Sequence, residues 1–262
     1  MDKKYLFFDI DGTLAVGRPG DQYVPDSTRE ALERLREVGH FLAIATGRAQ
    51  ALAVDYMHEL GFHSMVSDGG YGVTIDDEFL GVRQLDHNAC VALVDECREK
   101  GYPWSIQVEN SDTRFTPDGR FEEFTRDIYQ KTRVVPGLEP RDYPEIYKVN
   151  VACYEPDERR LETLPALPWC RYQKEYIFVE PADKAYGIKQ ILAHEGGAPA
   201  DVVVFGDGIN DLSMFTGEWT GVAMGNAAPE LKVAADLVTA PAGEDGIFRA
   251  CEQLGLFEPV ER

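Results

Sequence analysis

Tyr5-Leu6-Phe7-Phe8-Asp9-Ile10-Asp11-Gly12-Thr13 is the stretch whose reading decides the fold. Large apolar residues with no polar alternation predict a strand over Tyr5–Ile10 that is buried on both faces, as strands in the middle of a parallel sheet are. Alternate residues of a strand share a face, so Asp9 and Asp11 stand side by side at its tip. There one carboxylate could attack phosphorus while the other protonates the departing oxygen. The plain alternative for a bare Asp-x-Asp is a polar turn capping the next element. The following Gly12-Thr13 weakens that alternative, because the five-residue string is much rarer.

Outward from this strand, helix and strand alternate. Asp26–Val38 reads as a helix, with Pro25 before it, Ser27 and Glu30 at capping-box spacing, an apolar stripe of Leu32, Leu35 and Val38, and Gly39 as the stop. Phe41–Ala45 is a second buried strand, Ala49–Leu60 a helix and Ser64–Ser67 a third strand. A hairpin then turns at Asp76-Asp77, pairing Gly72–Ile75 with Phe79–Val82. The middle differs in texture: helices at Asp86–Lys100 and Pro156–Leu164 alternate with strands at Trp104–Val108, Ile146–Cys153 and Tyr176–Val179, amid frequent prolines and aromatics. After Pro181 the first texture returns, with a helix at Asp183–His194, strands at Asp201–Phe205 and Thr220–Met224, and closing helices at Pro229–Ala235 and Asp245–Leu254.

The expected fold class is therefore α/β: one Rossmann-like parallel sheet core built from two separated chain segments, residues 1–82 and 180–262, with an α+β cap inserted at 83–179. Ligands of such sheets bind beyond the carboxyl ends of the strands. The acids lie at those ends.

Three further clusters belong to the same edge. Ala45-Thr46-Gly47-Arg48 closes the second strand, Lys184 opens a helix, and Gly206-Asp207-Gly208-Ile209-Asn210-Asp211 follows the Val202–Phe205 run. Thr46-Gly47 offers a hydroxyl and an exposed amide to a phosphate oxygen, although a strand-to-helix turn also uses Thr-Gly as a cap. Lys184 alone would be an ordinary solvated lysine. Two glycines, two acids and an amide after an apolar strand are uneconomical for a simple turn.

Together the clusters fit one reaction. A carboxylate attacking an anionic phosphate ester meets like charge, and Asp9, Asp11 and Asp207 worsen this unless a hard divalent cation sits among them. Oxygen ligands with a phosphate substrate select Mg²⁺. Thr46, the Gly47 amide, Lys184 and Asn210 would hold the other phosphoryl oxygens.

In this order the four strings resemble the haloacid dehalogenase superfamily of phosphatases, and their Cof-type subgroup in particular; Met224-Gly225-Asn226-Ala227 matches a further family string. The resemblance covers both core segments, and the insertion by length and position only. It implies Asp9 as nucleophile, forming an aspartyl phosphate. Asp11 would be general acid and then base, its main-chain carbonyl a metal ligand. Asp207 would complete the metal ligands, and Asp211 would orient Lys184 or a water on the metal. An acid at position 11 matches the phosphatases, since family ATPases with stable aspartyl phosphates carry threonine there. Two departures stand out: Lys184-Ala185 where the subgroup often has Lys-Gly, and Gly69-Gly70 where it often has Asn-Gly.

The insertion would close over the site and read the leaving group, with Lys148, Asn150 and Arg114 as candidate readers; ordinary sheet-surface positions are the plain alternative for each. The expected substrate is a small phosphorylated metabolite, sugar phosphates leading. A phosphosugar mutase on the same scaffold and a non-catalytic metabolite sensor are the competitors.

Bulk properties agree. The net charge of -20 disfavours nucleic acid and anionic membranes as partners, and no apolar run is long enough to span a bilayer. The five cysteines form no Cys-x-x-Cys pair, which fits reduced thiols in a cytoplasmic protein, with Cys90 and Cys97 two turns apart on a buried helix face. The five histidines form no ligand spacing. Oligomeric state is not encoded in any of these features.

Overall fold

The structure, a computed structural model, describes residues 2–17, 21–128, 130–171 and 173–258. Its strands are β1 (Tyr5–Phe8), β2 (Phe41–Ala45), β3 (Met65–Ser67), β4 (Gly72–Ile75), β5 (Glu78–Val82), β6 (Trp104–Gln107), β7 (Thr113–Thr116), β8 (Lys131–Val134), β9 (Lys148–Ala152), β10 (Tyr176–Val179), β11 (Val202–Gly206), β12 (Thr220–Ala223) and β13 (Leu237–Val238). Its helices are α1 (Asp26–Val38), α2 (Gln50–Glu59), α3 (His87–Lys100), α4 (Arg120–Thr125), α5 (Glu155–Glu158), α6 (Lys184–Glu195), α7 (Pro229–Ala234) and α8 (Gly246–Gln253). They form two compact units: Met1–Arg48, Ala53–Gly81 and Asp183–Arg262 in one, Ala49–Leu52 and Val82–Ala182 in the other.

The first unit is built on an eight-stranded sheet in the order β13-β12-β11-β1-β2-β3-β4-β5. It is parallel from β13 to β3 and turns antiparallel at β4. Strand β1 lies between β2 and β11, with Tyr5 opposite both Phe41 and Val202. This central place explains its unbroken apolar sequence. Leu6 and Phe8 point into a core with Leu32, Leu35, Ile44 and Phe248, while Phe7 points to the opposite face, among Ala43, Ile188, Ile191 and Val204. Each face is thus sealed by helices, and burying one Phe or Leu side chain there contributes about 1.5–3 kcal/mol.

The second unit holds a five-stranded sheet in the order β10-β9-β6-β7-β8. Trp104, Ile106, Val149, Val151, Ile177 and Val179 point to one face and pack with α3 residues Cys90, Leu93, Val94 and Cys97. The alternating positions Ser105, Gln107, Lys148 and Asn150 are polar yet buried.

Several local expectations need correction. Helix α1 has no capping box: Pro25 is its N-cap, with no side-chain cap hydrogen bond, which leaves Ser27 inside the first turn. Strand β1 stops at Phe8, where the chain begins to turn, although the Asp9 N–H still donates to Phe205 O at 3.0 Å. A helix over Pro156–Leu164 does not form; α5 ends at Glu158. The reason is Glu96, which takes the N–H groups of Glu162 (2.7 Å) and Thr163 (2.9 Å) and so holds that segment open. Strands β7 and β8 and helix α4 carried no readable pattern.

Those hydrogen bonds, with Lys100 Nζ at 2.6 Å, hold the Glu96 carboxyl down at about 2 against the opposing effect of burial. A depressed carboxylate stabilises the fold fully above its unfolded value, about 4.3, and loses that contribution as pH falls toward 2. Glu96→Gln is expected to cost about 1–3 kcal/mol at pH 7, with the gap from the parent narrowing below about pH 4.3. Urea midpoints at pH 7, 4 and 3 measure this; a gap that does not change with pH would remove the ionised carboxylate from the explanation.

Candidate active site

The chemistry-bearing residues lie just past the carboxyl ends of β1, β2 and β11 and at the first residue of α6. Lys184 is fully buried. Its Nζ donates to Asp9 Oδ1 at 2.7 Å, to Ala45 O at 2.9 Å and to Asp211 Oδ1 at 2.5 Å. One ammonium therefore ties the ends of three strands together. The helix that carries it is fixed at its start: Asp183 caps Tyr186 N–H, and the Lys184 N–H donates to Ser213 Oγ. The Asp183 N–H in turn donates to Gly69 O at 2.8 Å.

That contact accounts for Gly69-Gly70. Gly69 takes φ 65°, a left-handed conformation that glycine adopts without strain. Gly70 is tighter, since a Cβ there would come within 1.9 Å of Asp183 O.

Asp211 is wholly buried, and both its oxygens are engaged: Oδ1 by Lys184, Oδ2 by the N–H groups of Asp207 and Gly208, each at 2.8 Å. It organises the loop more than it offers itself to a ligand. Asp207 Oδ1 accepts from Thr13 Oγ1 at 3.3 Å and Oδ2 from Asn226 Nδ2 at 3.2 Å. Gly12 is pressed against it: a Cβ there would lie 2.2 Å from Asp207 Oδ2.

Asp11 faces another partner. Arg48 donates to it two-pronged, Nε to Oδ2 at 2.8 Å and Nη2 to Oδ1 at 2.7 Å, and Gln22 Nε2 adds a bond to Oδ1 at 2.7 Å. Thr46, buried, accepts the Arg48 N–H on Oγ1 at 3.1 Å and so keeps its own hydroxyl proton to donate. Gly47 lies between them. Asn210 sits in the 3-10 turn Ile209–Met214, and a Cβ on Gly208 would meet its Oδ1 at 2.2 Å. Side-chain contacts thus join Asp9, Lys184 and Asp211, whereas Thr46, Gly47 and Asn210 reach the cluster through the loops they stand on.

One carboxylate oxygen each from Asp9, Asp207 and Asp211 lies within 4.8 Å of the others. Three acids against the single Lys184 ammonium leave this buried pocket short of positive charge. Burial, then Asp211, Asp11 and Asp207, push the Asp9 carboxyl well above the usual range against the pull of Lys184. Burial, then Asp211, carry Asp207 up to about 7. Lys184 is held above its ordinary value by Asp211 and Asp9, despite burial. Asp11 goes the other way: Arg48 and Gln22 bring it below the ordinary carboxylate value despite burial. A divalent cation fits this donor set, which is entirely hard oxygen. Asp9 Oδ2 and the Asp11 main-chain carbonyl receive no hydrogen bond among the described residues, so both are open to a ligand.

The candidate readers in the second unit are already occupied. Lys148 pairs with Glu180 at 2.7 Å, Asn150 donates to Ser105 Oγ at 3.1 Å, and the fully buried Arg114 pairs with Asp127 at 2.7 Å over the Phe121 ring. Arg114 thereby holds α4 to the sheet. Two contributors escaped the sequence reading: Gln22, which no motif marks, and Asn226, whose string was noted without a role. Asn226 Oδ1 accepts Ala242 N–H, which turns its Nδ2 toward Gly12 O and Asp207.

Comparison with known proteins agrees with this geometry. A family model described as haloacid dehalogenase-like hydrolase matches residues 6–251. The Bacillus subtilis (strain 168) protein YkrA, whose name provisionally calls it a phosphatase, is 34% identical over 272 residues, covering 98% of this chain and 100% of that one. A crystal structure of a hypothetical protein from Geobacillus kaustophilus HTA426 superposes with a TM-score of 0.84 at 32% identity, covering 98% and 100% of the two chains. BT4131, titled a subclass IIB sugar phosphatase of the superfamily, gives a TM-score of 0.78 at 29% identity over 97% and 100%. With the strand-end acids and the buried lysine in place, the chain belongs to the haloacid dehalogenase-like hydrolases and is a phosphatase of that family.

Proposed function

We propose that the protein hydrolyses small organic phosphate monoesters, sugar phosphates foremost, with Mg²⁺ as cofactor and through a phosphoryl group carried on Asp9. The observation that carries this reading is the Lys184 bond to Asp9 Oδ1, which fixes the carboxylate at the strand ends where the other acids converge. An Asp9 carboxylate oxygen bonds to phosphorus as the ester bond to the leaving oxygen breaks; Asp11, which Arg48 and Gln22 hold ionised in the free protein, takes the proton that a phosphate monoester monoanion brings and passes it to that oxygen. Asp11 then takes a proton from water; the water oxygen bonds to phosphorus, the bond to Asp9 breaks, and inorganic phosphate leaves. Thr46, the Gly47 amide, Lys184 and Asn210 hold the phosphoryl oxygens through these steps.

Asp9, Asp207 and the Asp11 carbonyl would hold the Mg²⁺, with Asp211 keeping Lys184 and the Asp207 loop in register. The cation supplies charge neutralisation, which a negative nucleophile and a negative ester both require. Sugar phosphates lead as substrates because BT4131, described as a sugar phosphatase, is 29% identical over nearly the full chain.

The test is phosphate release over a panel of phosphorylated metabolites with Mg²⁺, followed by exhaustive chelation and metal return. Turnover should vanish on chelation and come back with Mg²⁺; activity surviving the chelator would remove the cation from the reading. Acid-quenched protein should carry a labile phosphoryl group on the peptide containing Asp9, and label found elsewhere would displace Asp9 as nucleophile.

A further inference from the structure

We infer that Arg48 and Gln22 form a positioning clamp for Asp11, setting which atom of that carboxylate exchanges the proton. The inference rests on the role of Asp11 given above and goes beyond it, since neither residue has a place in the steps themselves.

Two segments reach the Asp11 carboxyl group, and a third holds them in place. Asp11 follows β1, and Arg48 lies three residues past β2. Gln22 precedes Tyr23, which exchanges both main-chain hydrogen bonds with Val16 (2.8 and 3.0 Å), so the chain returns to the site there. Tyr56 belongs to α2, and its ring centroid lies 4.9 Å from the Arg48 guanidinium carbon. The Gln22 amide has its orientation fixed: Oε1 accepts Arg48 Nη2 at 2.7 Å and Tyr56 O–H at 3.4 Å, which leaves Nε2 to donate to Asp11. Arg48 is held by stacking, by Gln22 and by its own main-chain bond to Thr46.

A carboxylate has about four acceptor positions. On Asp11, two donors occupy Oδ1 and one occupies Oδ2. The position that remains is on Oδ2, so the clamp selects that oxygen as the one that gives and takes the proton. Stability alone does not account for the arrangement. The Asp11 side chain is 41% exposed while its partner Arg48 is only 10% exposed, so water reaches one side of the pair and weakens its contribution to stability. Orientation is what a planar two-pronged guanidinium adds, and a lysine at position 48 would lack the second prong.

The experiment measures phosphate release from a hexose phosphate and the first-turnover burst from p-nitrophenyl phosphate, whose phenolate leaves without a proton. Arg48→Ala, Arg48→Lys and Gln22→Ala are made alone and combined with Asp11→Asn, and thermal melts confirm folding. Arg48→Ala should lower kcat on the hexose phosphate by about 10–10²-fold with KM nearly unchanged. Arg48→Lys should recover only part of this. The p-nitrophenolate burst should persist in every single variant. In the Asp11→Asn background, Arg48→Ala should cost nothing more, because its effect passes through the missing acid. A multiplicative loss in that background, or a loss that falls on KM, would make Arg48 a substrate-binding residue and overturn the clamp. If Arg48→Ala fails to fold, Gln22→Ala carries the same cycle with a smaller expected loss. Wild-type turnover by Asp11→Asn itself would instead remove Asp11 from the reaction, an outcome distinguishable from failure of the clamp.

Discussion

Asp9→Asn is expected to lower phosphate release by at least about 10⁴-fold, as loss of a nucleophile does elsewhere, while the metal-free protein melts no lower than the parent. The two halves have separate causes. An amide cannot attack phosphorus, so the phosphoryl group has nowhere to go. Yet Asn occupies the same space, and its oxygen can still accept from Lys184. In the parent, burial and three neighbouring acids hold the Asp9 carboxyl well above the ordinary range. Near neutral pH the ionised form is therefore a burden on the folded state, and a neutral isostere relieves it. Phosphate assays and thermal melts in chelator test both halves. A dead variant that also melted several degrees lower would mean that Asp9 supports the fold, contrary to the argument.

Lys184→Met should do the opposite to stability while also abolishing turnover. Removing the ammonium strands Asp9, Asp211 and the Ala45 carbonyl in a place water does not reach. Breaking one side of a buried ion pair costs about 3–5 kcal/mol. In a chain of this size that amounts to a melting temperature lower by roughly 6–20 °C. Adding Asp9→Asn should restore part of the loss, because one stranded charge goes with it, and the double variant should melt between the two single ones. A Lys184→Met protein as stable as the parent would show that the ammonium is not what holds the strand ends together.

Sequence carried the first unit much further than the second, and the reasons are physical. Strands buried on both faces announce themselves by unbroken apolar runs, as Tyr5–Phe8 and Val202–Phe205 do, and the functional groups stand in fixed positions after those runs. In the second unit, β8 is Lys131-Thr132-Arg133-Val134 at a sheet edge, mostly exposed, and has no alternation to read. Strand β7 hides a fully buried arginine, which looks like a surface residue until Asp127 and Phe121 are seen around it. The failed helix after Glu158 depends on Glu96, more than 60 positions away. At the site itself, Arg48 was quoted within a motif, but Gln22 had no local mark. Its meaning lies in a contact that sequence distance conceals.

Strand β1 of the first unit has one neighbour close by in sequence and another nearly 200 residues away, since Tyr5 pairs with both Phe41 and Val202. On the ribosome, one edge of β1 must therefore wait until the second half of the chain has emerged. At about 5–20 residues per second that wait is on the order of ten seconds or more. The stretch from Val82 to Ala182 is nearly continuous and is free to condense first. Until β11 arrives, the nascent chain exposes Tyr5-Leu6-Phe7-Phe8 as an open apolar edge, the kind that invites intermolecular pairing. Truncation anywhere before residue 206 should therefore yield aggregate in place of a smaller enzyme.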